Sequence, residues 1–221
     1  MPQWQTTHFL LDLKRPLIMG IVNNTPDSFS DGGKYQGQRA LQHAEQLIKD
    51  GADILDIGGE STRPGSPAVP LEEELARVLP VVQEAVRLGV AVSVDTYKPQ
   101  VMQAVLDLGA DIINDVWGLR QPGAQDVVAA HHSCGVCLMH MHQTPQNMHL
   151  QHMQGDAVPQ VCDFLLRETQ ALLARGVARN RIVWDYGIGF GKSVPQNFAL
   201  LARQAELLDL DFPLLAGWSR K

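Results

Sequence analysis

The chain has 221 residues, a net charge of −6 and 45% hydrophobic residues, which favours one domain with a large core. No run of basic residues is longer than the pair Lys14-Arg15, so nucleic acid is not expected as a partner, because phosphate binding requires a basic footprint. The sequence has no apolar run of about 18 residues, as a membrane span would need, and no secretory signal before Arg15. Its three cysteines are too few for a disulfide framework, and we expect a soluble, cytoplasmic protein.

Short runs of aliphatic and β-branched residues alternate with amphipathic segments along the whole chain. The predicted strands lie at 17–22, 53–58, 91–95, 111–116, 136–141, 181–185 and 213–217. The predicted helices lie at 38–49, 71–87, 99–108, 124–131, 158–174 and 196–208. Such alternation predicts right-handed βαβ units around a parallel sheet, and the nearly continuous apolar strands indicate a sheet that is covered on both faces.

Almost every predicted strand is followed by polar side chains at its carboxyl-terminal end. These residues are Asn23, the run Glu60-Ser61-Thr62-Arg63, Asp95, Asn114-Asp115, His140, His142, Asp185 and the run Ser219-Arg220-Lys221. The active sites of (β/α)8 barrels are assembled at this face from several strands, whereas a doubly wound open sheet concentrates its site at one switch point. The distribution therefore favours an α/β fold, a (β/α)8 TIM barrel that forms one domain over residues 1–221, with the doubly wound sheet as second candidate.

The number of predicted strands is one short of a closed barrel. Seven strands cannot close an eight-stranded barrel, so we expect the barrel to be incomplete, without its final strand and helices, which is roughly 50 residues at the usual barrel size. If nothing follows Lys221, we expect the monomer to be unstable and inactive, because its first and seventh strands would present unpaired edges.

The segment from Thr25 to Gly33 follows the first predicted strand directly. It carries two carboxylates, Asp27 and Asp31, and one aromatic ring, Phe29, on a stretch too rich in Pro, Asp and Gly to continue the strand. Because loops on rigid scaffolds commonly carry function, we expect this segment to take part in the chemistry.

Three side chains at strand ends, Asp95, Asn114 and Asp185, suit the recognition of a heterocycle. A carboxylate accepts two adjacent N–H bonds, as the edge of a guanidine-like ring offers them, and an asparagine amide donates and accepts in one plane. Arg63 and Lys221 bring positive charge to the same face. This set predicts a flat ligand that also carries an anionic group.

Asn23 and the carboxylates of the segment 25–33 suggest a Mg²⁺ site, since this hard cation takes oxygen ligands and often bridges substrate phosphates. Together with the cations Arg63 and Lys221, Mg²⁺ fits a diphosphate better than a carboxylic acid. The run from Asp185 to Ser193 has some likeness to a phosphate loop, but G-x-x-x-x-G-K-[ST] requires glycine where Tyr186 stands. A nucleoside triphosphatase is therefore disfavoured.

The histidines and cysteines offer weaker candidates for a metal site. The histidines between 131 and 152 contain no H-E-x-x-H or comparable frame, so no zinc site is expected, and His140 and His142 are predicted to share a strand face. Cys134 and Cys137 have C-x-x-C spacing without a second pair, and buried free thiols are the preferred interpretation.

Seven motifs stand in one order along the chain. They run from Met19 to Gly33, Asp56 to Gly65, Ser93 to Lys98, Ile112 to Asp115, Leu138 to Met141, Asp185 to Lys192 and Ser219 to Lys221. Each alone is of modest specificity, but together, at barrel spacing, they resemble the dihydropteroate synthases of bacterial folate synthesis from Leu17 to Lys221. The chain departs from that pattern at Asn24, where a small apolar residue is usual, at Tyr186, where Pro is usual, and in ending before the family's closing strand.

The resemblance implies a (β/α)8 enzyme, usually dimeric, that uses Mg²⁺ and is a target of sulfonamides. It implies condensation of 6-hydroxymethyl-7,8-dihydropterin diphosphate with 4-aminobenzoate to 7,8-dihydropteroate and diphosphate. By position it implies pterin binding by Asp95, Asn114, Met139, Asp185 and Lys221, diphosphate binding by Asn23, Thr62 and Arg63 with Asn23 also on the metal, aminobenzoate contact by Phe29 and Pro64, and catalytic roles for Asp27, Asp31, Arg63 and Lys221.

Two other functions remain open from the sequence. One is a related pterin-binding barrel that moves a methyl group from a folate to a corrinoid; the segment 25–33 argues against it, because such an enzyme needs no loop for diphosphate and aminobenzoate. The other is a truncated, non-catalytic pterin-binding remnant. Mg²⁺-dependent release of diphosphate distinguishes the synthase from the first, and continuation of the reading frame after Lys221 distinguishes it from the second.

Overall fold

The computed structural model describes residues 3–25, 36–62, 66–144, 147–148 and 150–218. Its strands are β1 Gln3–Gln5, β2 Leu10–Asp12, β3 Met19–Asn23, β4 Ile54–Gly58, β5 Ala91–Asp95, β6 Ile112–Asp115, β7 Gly135–Met139, β8 Ile182–Asp185 and β9 Leu214–Leu215. Its helices are α1 Gln36–Lys49, α2 Leu71–Ala85, α3 Pro99–Asp107, α4 Ala124–Ala130, α5 Ala157–Ala174, α6 Val194–Ala202 and α7 Gln204–Leu208.

The strands β3 to β9 form one parallel sheet of seven strands whose spatial order follows the chain. At least one helix lies between each strand and the next. Sequential order of this kind belongs to a (β/α)8 barrel, whereas a doubly wound sheet reverses its strand order at a switch point. The predicted fold class, an α/β barrel with seven strands, is confirmed for the described residues.

The two faces of the sheet pack into two separate cores, because successive side chains of a strand point in opposite directions. Residues such as Leu55, Val92 and Leu138 face outward and pack against the helices. Their neighbours face the barrel interior: Met19, Ile54, Ala91, Ile112, Cys137 and Val183 pack there in a smaller core. The interior is therefore apolar at the amino-terminal ends of the strands.

An antiparallel hairpin of β1 and β2 covers that end of the interior. Trp4, paired with Leu11 across the hairpin, is 3% exposed and packs in the same core as Ile54 and Ile112. Its indole Nε1 donates a hydrogen bond to the Arg181 carbonyl at 2.9 Å. The sequence did not predict this hairpin, because strands of three residues are too short to show a periodicity.

Other differences from the predicted elements are local. The predicted helix 196–208 is divided at Arg203, which leaves the helical region (φ −110°, ψ 20°) where its guanidinium pairs with Asp156 and Glu206. The last strand is shorter than predicted and consists of Leu214–Leu215. No helix among the described residues has the length and apolar character to span a bilayer.

Candidate active site

One row of the sheet brings three of the predicted site residues together at the carboxyl-terminal ends of the strands. Asn23 pairs with Gly58, Gly58 with Asp95, and Asp95 with Asn114. Asn114 pairs in turn with Cys137, which packs in the interior core. Because side chains in one row of a parallel sheet point to the same face, this row lies inside the barrel.

A second row lies nearer the carboxyl-terminal ends of the strands. It contains Met139 on β7 and Asp185 on β8, which are register partners. The two side chains are 3% and 6% exposed. The Oδ1 atom of Asp185 accepts a hydrogen bond from the backbone N–H of Gly187 at 2.7 Å. The turn after β8 thus fixes the orientation of a nearly buried carboxylate.

Two glycines leave space beside the two carboxylates. A Cβ atom placed on Gly58 would lie 3.6 Å from Asn23 Oδ1 and 3.8 Å from Asp95 Oδ2. A Cβ atom placed on Gly217 would lie 3.7 Å from Asp185 Oδ2. A flat ring can therefore approach each carboxylate at van der Waals distance, where any side chain at these positions would fill the space.

Asp56 is a site residue that the sequence reasoning missed. It lies inside β4, is 4% exposed, and its Oδ2 accepts a hydrogen bond from Asn114 Nδ2 at 3.1 Å. Burial raises the pKa of this carboxyl, although hydrogen bonds from Ser93, its register partner on β5, and from Asn114 oppose the rise. The contact orients the Asn114 amide. A charged residue within an apolar strand was the available signal.

Lys192 holds the turn after β8 against the end of β7. Its Nζ atom donates to the carbonyls of His140 at 2.8 Å and Gly187 at 2.7 Å, and the side chain is buried. Burial lowers the pKa of Lys192 to about 7, although the nearby charge of Asp185 opposes this change. The lysine of the glycine-rich run therefore binds two backbone carbonyl groups and ties the turn to the residue that follows β7.

Thr62 is half-buried and lies at the start of the connection between β4 and α2. Six further predicted site residues lie outside the described residues, namely Asp27, Phe29, Asp31, Arg63, Pro64 and Lys221. The described part of the site therefore consists of the residues predicted to bind the pterin, apart from Lys221, together with Asn23 and Thr62.

The weaker metal candidates do not converge. Within the described ranges, no three His, Cys, Asp or Glu side chains are placed to hold a metal ion together. Cys134 and Cys137 are buried free thiols, as predicted, and burial raises the pKa of each. β7 ends at Met139, so His140 and His142 lie beyond the strand and the predicted shared strand face is wrong.

Comparison with known proteins agrees with this geometry. Residues 19–221 match the family model described as pterin binding enzyme. The dihydropteroate synthase of Neisseria meningitidis serogroup B is 49% identical over 224 residues, which cover 99% of this chain and 79% of that protein.

Solved structures of dihydropteroate synthases have the same fold. The Burkholderia cenocepacia structure, complexed with 7,8-dihydropteroate, is 50% identical with a TM-score of 0.88 and is matched over 99% of this chain and 77% of its own. The Xanthomonas albilineans structure with 4-aminobenzoic acid is 47% identical, with a TM-score of 0.92 and coverage of 100% and 79%. The Yersinia pestis structure with a sulfonamide drug is 44% identical, with a TM-score of 0.92 and coverage of 99% and 80%. The chain therefore belongs to the pterin-binding enzymes, and within them to the dihydropteroate synthases, which are transferases.

Proposed function

We propose that the strand-end site binds 6-hydroxymethyl-7,8-dihydropterin diphosphate and presents its methylene carbon to 4-aminobenzoate, which gives 7,8-dihydropteroate and diphosphate. The observation that carries this proposal is the pair of carboxylates, Asp95 and Asp185, each with a glycine beside it at the mouth of an apolar interior. The relatives solved with 7,8-dihydropteroate and with 4-aminobenzoic acid support the choice of ligands.

The reaction needs a held pterin rather than a nucleophilic side chain. The amine nitrogen forms a bond to the methylene carbon, the bond from that carbon to the diphosphate oxygen breaks, and the amine proton leaves to solvent. Asp95, Asn114 and Asp185 would fix the pterin ring for this displacement. The carboxylates of Asp95 and Asp185 would also stabilise positive charge that develops on the pterin as the diphosphate departs.

The remaining roles are proposed by position in the sequence. Met139 and Lys221 would complete the pterin pocket, Asn23, Thr62 and Arg63 would bind the diphosphate, Phe29 and Pro64 would contact the aminobenzoate, and Asp27, Asp31, Arg63 and Lys221 would act at the reacting groups.

The described residues fit Mg²⁺ at one position. Asn23 is exposed at the end of β3, and its Oδ1 atom lies beside Gly58. Mg²⁺ usually keeps several waters and takes one or two protein oxygens together with substrate phosphates, so a single amide oxygen suits it. When bound, the ion would neutralise the leaving diphosphate. Asn23→Ala is expected to raise the Mg²⁺ concentration needed for binding of the pterin diphosphate.

The direct test supplies both substrates with Mg²⁺ and measures incorporation of labelled 4-aminobenzoate together with release of diphosphate. We expect incorporation that Asp95→Ala reduces strongly, while Asp107→Ala, an exposed carboxylate on α3, leaves it unchanged. Incorporation that Asp95→Ala does not diminish would overturn the pterin assignment. Binding of pterin without diphosphate release would favour a methyl-transferring barrel or a non-catalytic chain.

We also propose that the protein acts in the cytoplasm as a homodimer and that sulfonamides compete with 4-aminobenzoate. Three free cysteines support a reducing compartment. Val194 and Phe198 on α6 are 68% and 67% exposed, which supports a covered apolar face in the assembled protein. The sulfonamide complex of the Yersinia pestis relative supports the competition. Sedimentation analysis and sulfonamide competition test these points separately.

A further inference from the structure

A buried ion network connects the ends of β4 and β5 to α2. Lys98 Nζ lies 2.5 Å from Glu60 Oε2 and also contacts Glu74 Oε2. The side chains of Lys98, Glu60 and Glu74 are 14%, 7% and 1% exposed. One ammonium group is thus held between two buried carboxylates that belong to different elements of the fold.

Each carboxylate oxygen of this network accepts a hydrogen bond. Tyr97 Oη donates to Glu60 Oε1 at 2.9 Å, and Thr96 Oγ1 donates to Glu74 Oε1 at 2.7 Å. Burial alone would lower the pKa of Lys98, but the hydrogen bonds and charges of Glu60 and Glu74 outweigh it, so the pKa is raised. Lys98 therefore stays charged, and a fully satisfied polar network of this kind holds its members in one geometry.

Glu60 also joins both ends of the connection 60–69. Its Oε2 atom accepts a hydrogen bond from the backbone N–H of Val69 at 3.2 Å. A second link crosses the same connection, because Ser66 Oγ donates to Ser61 Oγ at 3.1 Å. Thr62 follows Glu60 by two residues and is adjacent to Ser61, so the position of its backbone depends on where Glu60 and Ser61 are held.

Removal of the Lys98 charge would displace Glu60 at the start of the connection between β4 and α2. Two buried carboxylates that share one site repel each other, and one of them must move or take up a proton. Glu74 lies within α2 and is held by the helix, whereas Glu60 follows the end of β4. Glu60 is therefore the group that moves, and it takes the start of the segment with it.

We propose that Lys98 is a positioning residue: by holding Glu60 it sets the place of Thr62, and thereby the affinity of the site for the diphosphate of the pterin substrate. This inference rests on the diphosphate role of Thr62 proposed above. The pterin ring is proposed to bind to the row that contains Asp95 and Asn114. The side chains of the ion network do not belong to that row. Loss of the network should therefore weaken binding of the diphosphate and spare the ring.

The test uses Lys98→Met in the full 221-residue chain, with titration calorimetry of two probes in the presence of Mg²⁺: 6-hydroxymethyl-7,8-dihydropterin and its diphosphate. The Kd of the diphosphate should rise by about tenfold, the effect of one misplaced charge-assisted contact, while the Kd of the bare pterin changes by less than about twofold. Lys14→Met is the matched control, since it removes an exposed lysine that pairs with Asp12 at 3.0 Å at the other end of the barrel; it should change neither value.

The double variant Glu60→Gln/Lys98→Met removes the repulsion and should recover part of the diphosphate affinity, which a general loss of packing would not do. Equal weakening of both probes by Lys98→Met, or no recovery in the double variant, would overturn the proposal. If Lys98→Met does not fold, Lys98→Gln, which removes the charge while its amide can still donate to one carboxylate, must show the selective loss, and an unchanged diphosphate Kd would overturn the proposal. A wild-type chain that binds both probes equally would refute the role of Thr62 as well, whereas a wild-type preference that survives in Lys98→Met would refute the inference about Lys98 only.

Discussion

The turn after β8 allows a substitution whose cost can be worked from the structure. Gly187 has a φ of +65°, and a Cβ atom placed on it would lie 2.0 Å from the His140 carbonyl oxygen and 2.9 Å from Lys192 Nζ. Gly187→Ala must therefore move the turn away from β7 and lengthen the two hydrogen bonds of Lys192.

The magnitude has two parts. The left-handed backbone costs an alanine about 1 kcal/mol, and relief of the overlap with a backbone oxygen costs about 2 kcal/mol more, as in overpacked cores. The sum of about 3 kcal/mol should lower Tm by about 6–12 °C, at about 2–4 °C per kcal/mol for a chain of this length. Binding of the pterin should weaken as well, because Gly187 N–H holds Asp185 Oδ1 at 2.7 Å.

Gly176→Ala is the matched control. Gly176 has a φ of +89° and no atom within 4 Å of an added Cβ, so only the backbone cost of about 1 kcal/mol applies. Calorimetric melting should show a decrease of about 2–4 °C for this variant, and pterin titration should show no change. Equal Tm values for Gly187→Ala and Gly176→Ala would refute the account of how this turn is built.

Three further outcomes are expected. Burial lowers the pKa of His140 to about 2, so the unfolded chain binds a proton near pH 6.5 that the folded chain does not bind, and the free energy of unfolding falls as the pH drops from 6.5 toward 2. Between pH 7 and pH 5, urea unfolding should show a decrease in this free energy that is about 2 kcal/mol larger for wild type than for His140→Gln. Equal decreases would contradict the prediction. Trp4→Ala should lower the unfolding free energy by about 3–5 kcal/mol, and a loss below about 1 kcal/mol would show that the hairpin does not close the barrel interior. A small alkylating reagent should label only Cys162 in the native chain, because Cys134 and Cys137 are buried; labelling of either by mass spectrometry before unfolding would argue against their place in the core.

The sequence predicted the parallel sheet because its signals are local. Each strand is a short apolar run, each crossover is an amphipathic helix, and the carboxyl ends of parallel strands meet at one edge of the sheet. Asn23, Asp95 and Asn114 therefore fell into one row of the sheet without knowledge of any contact. The β1–β2 hairpin could not be predicted in this way, because its strands of three residues are too short to show a periodicity. The place of Trp4 depends in addition on a hydrogen-bond partner 177 residues away.

The supporting residues of the site were missed for the same reason. Asp56, Lys98 and Lys192 act through partners that are 58, 38 and 52 residues away in the chain. A charged side chain in an apolar strand or after a strand end was visible in each case, but its partner was not. Which residue touches a ligand and which holds its neighbour in place depends on these long-range contacts.

The central claim is that carboxylates at the strand ends hold the pterin ring, and calorimetric titration of 6-hydroxymethyl-7,8-dihydropterin tests it most directly. Asp185→Ala should raise the Kd at least about tenfold, because an N–H group of the bound ring would lose the carboxylate that accepts its hydrogen bond. Asp163 is an exposed carboxylate on α5, and Asp163→Ala should leave the Kd unchanged. A folded Asp185→Ala chain that binds the pterin as tightly as wild type would contradict the account.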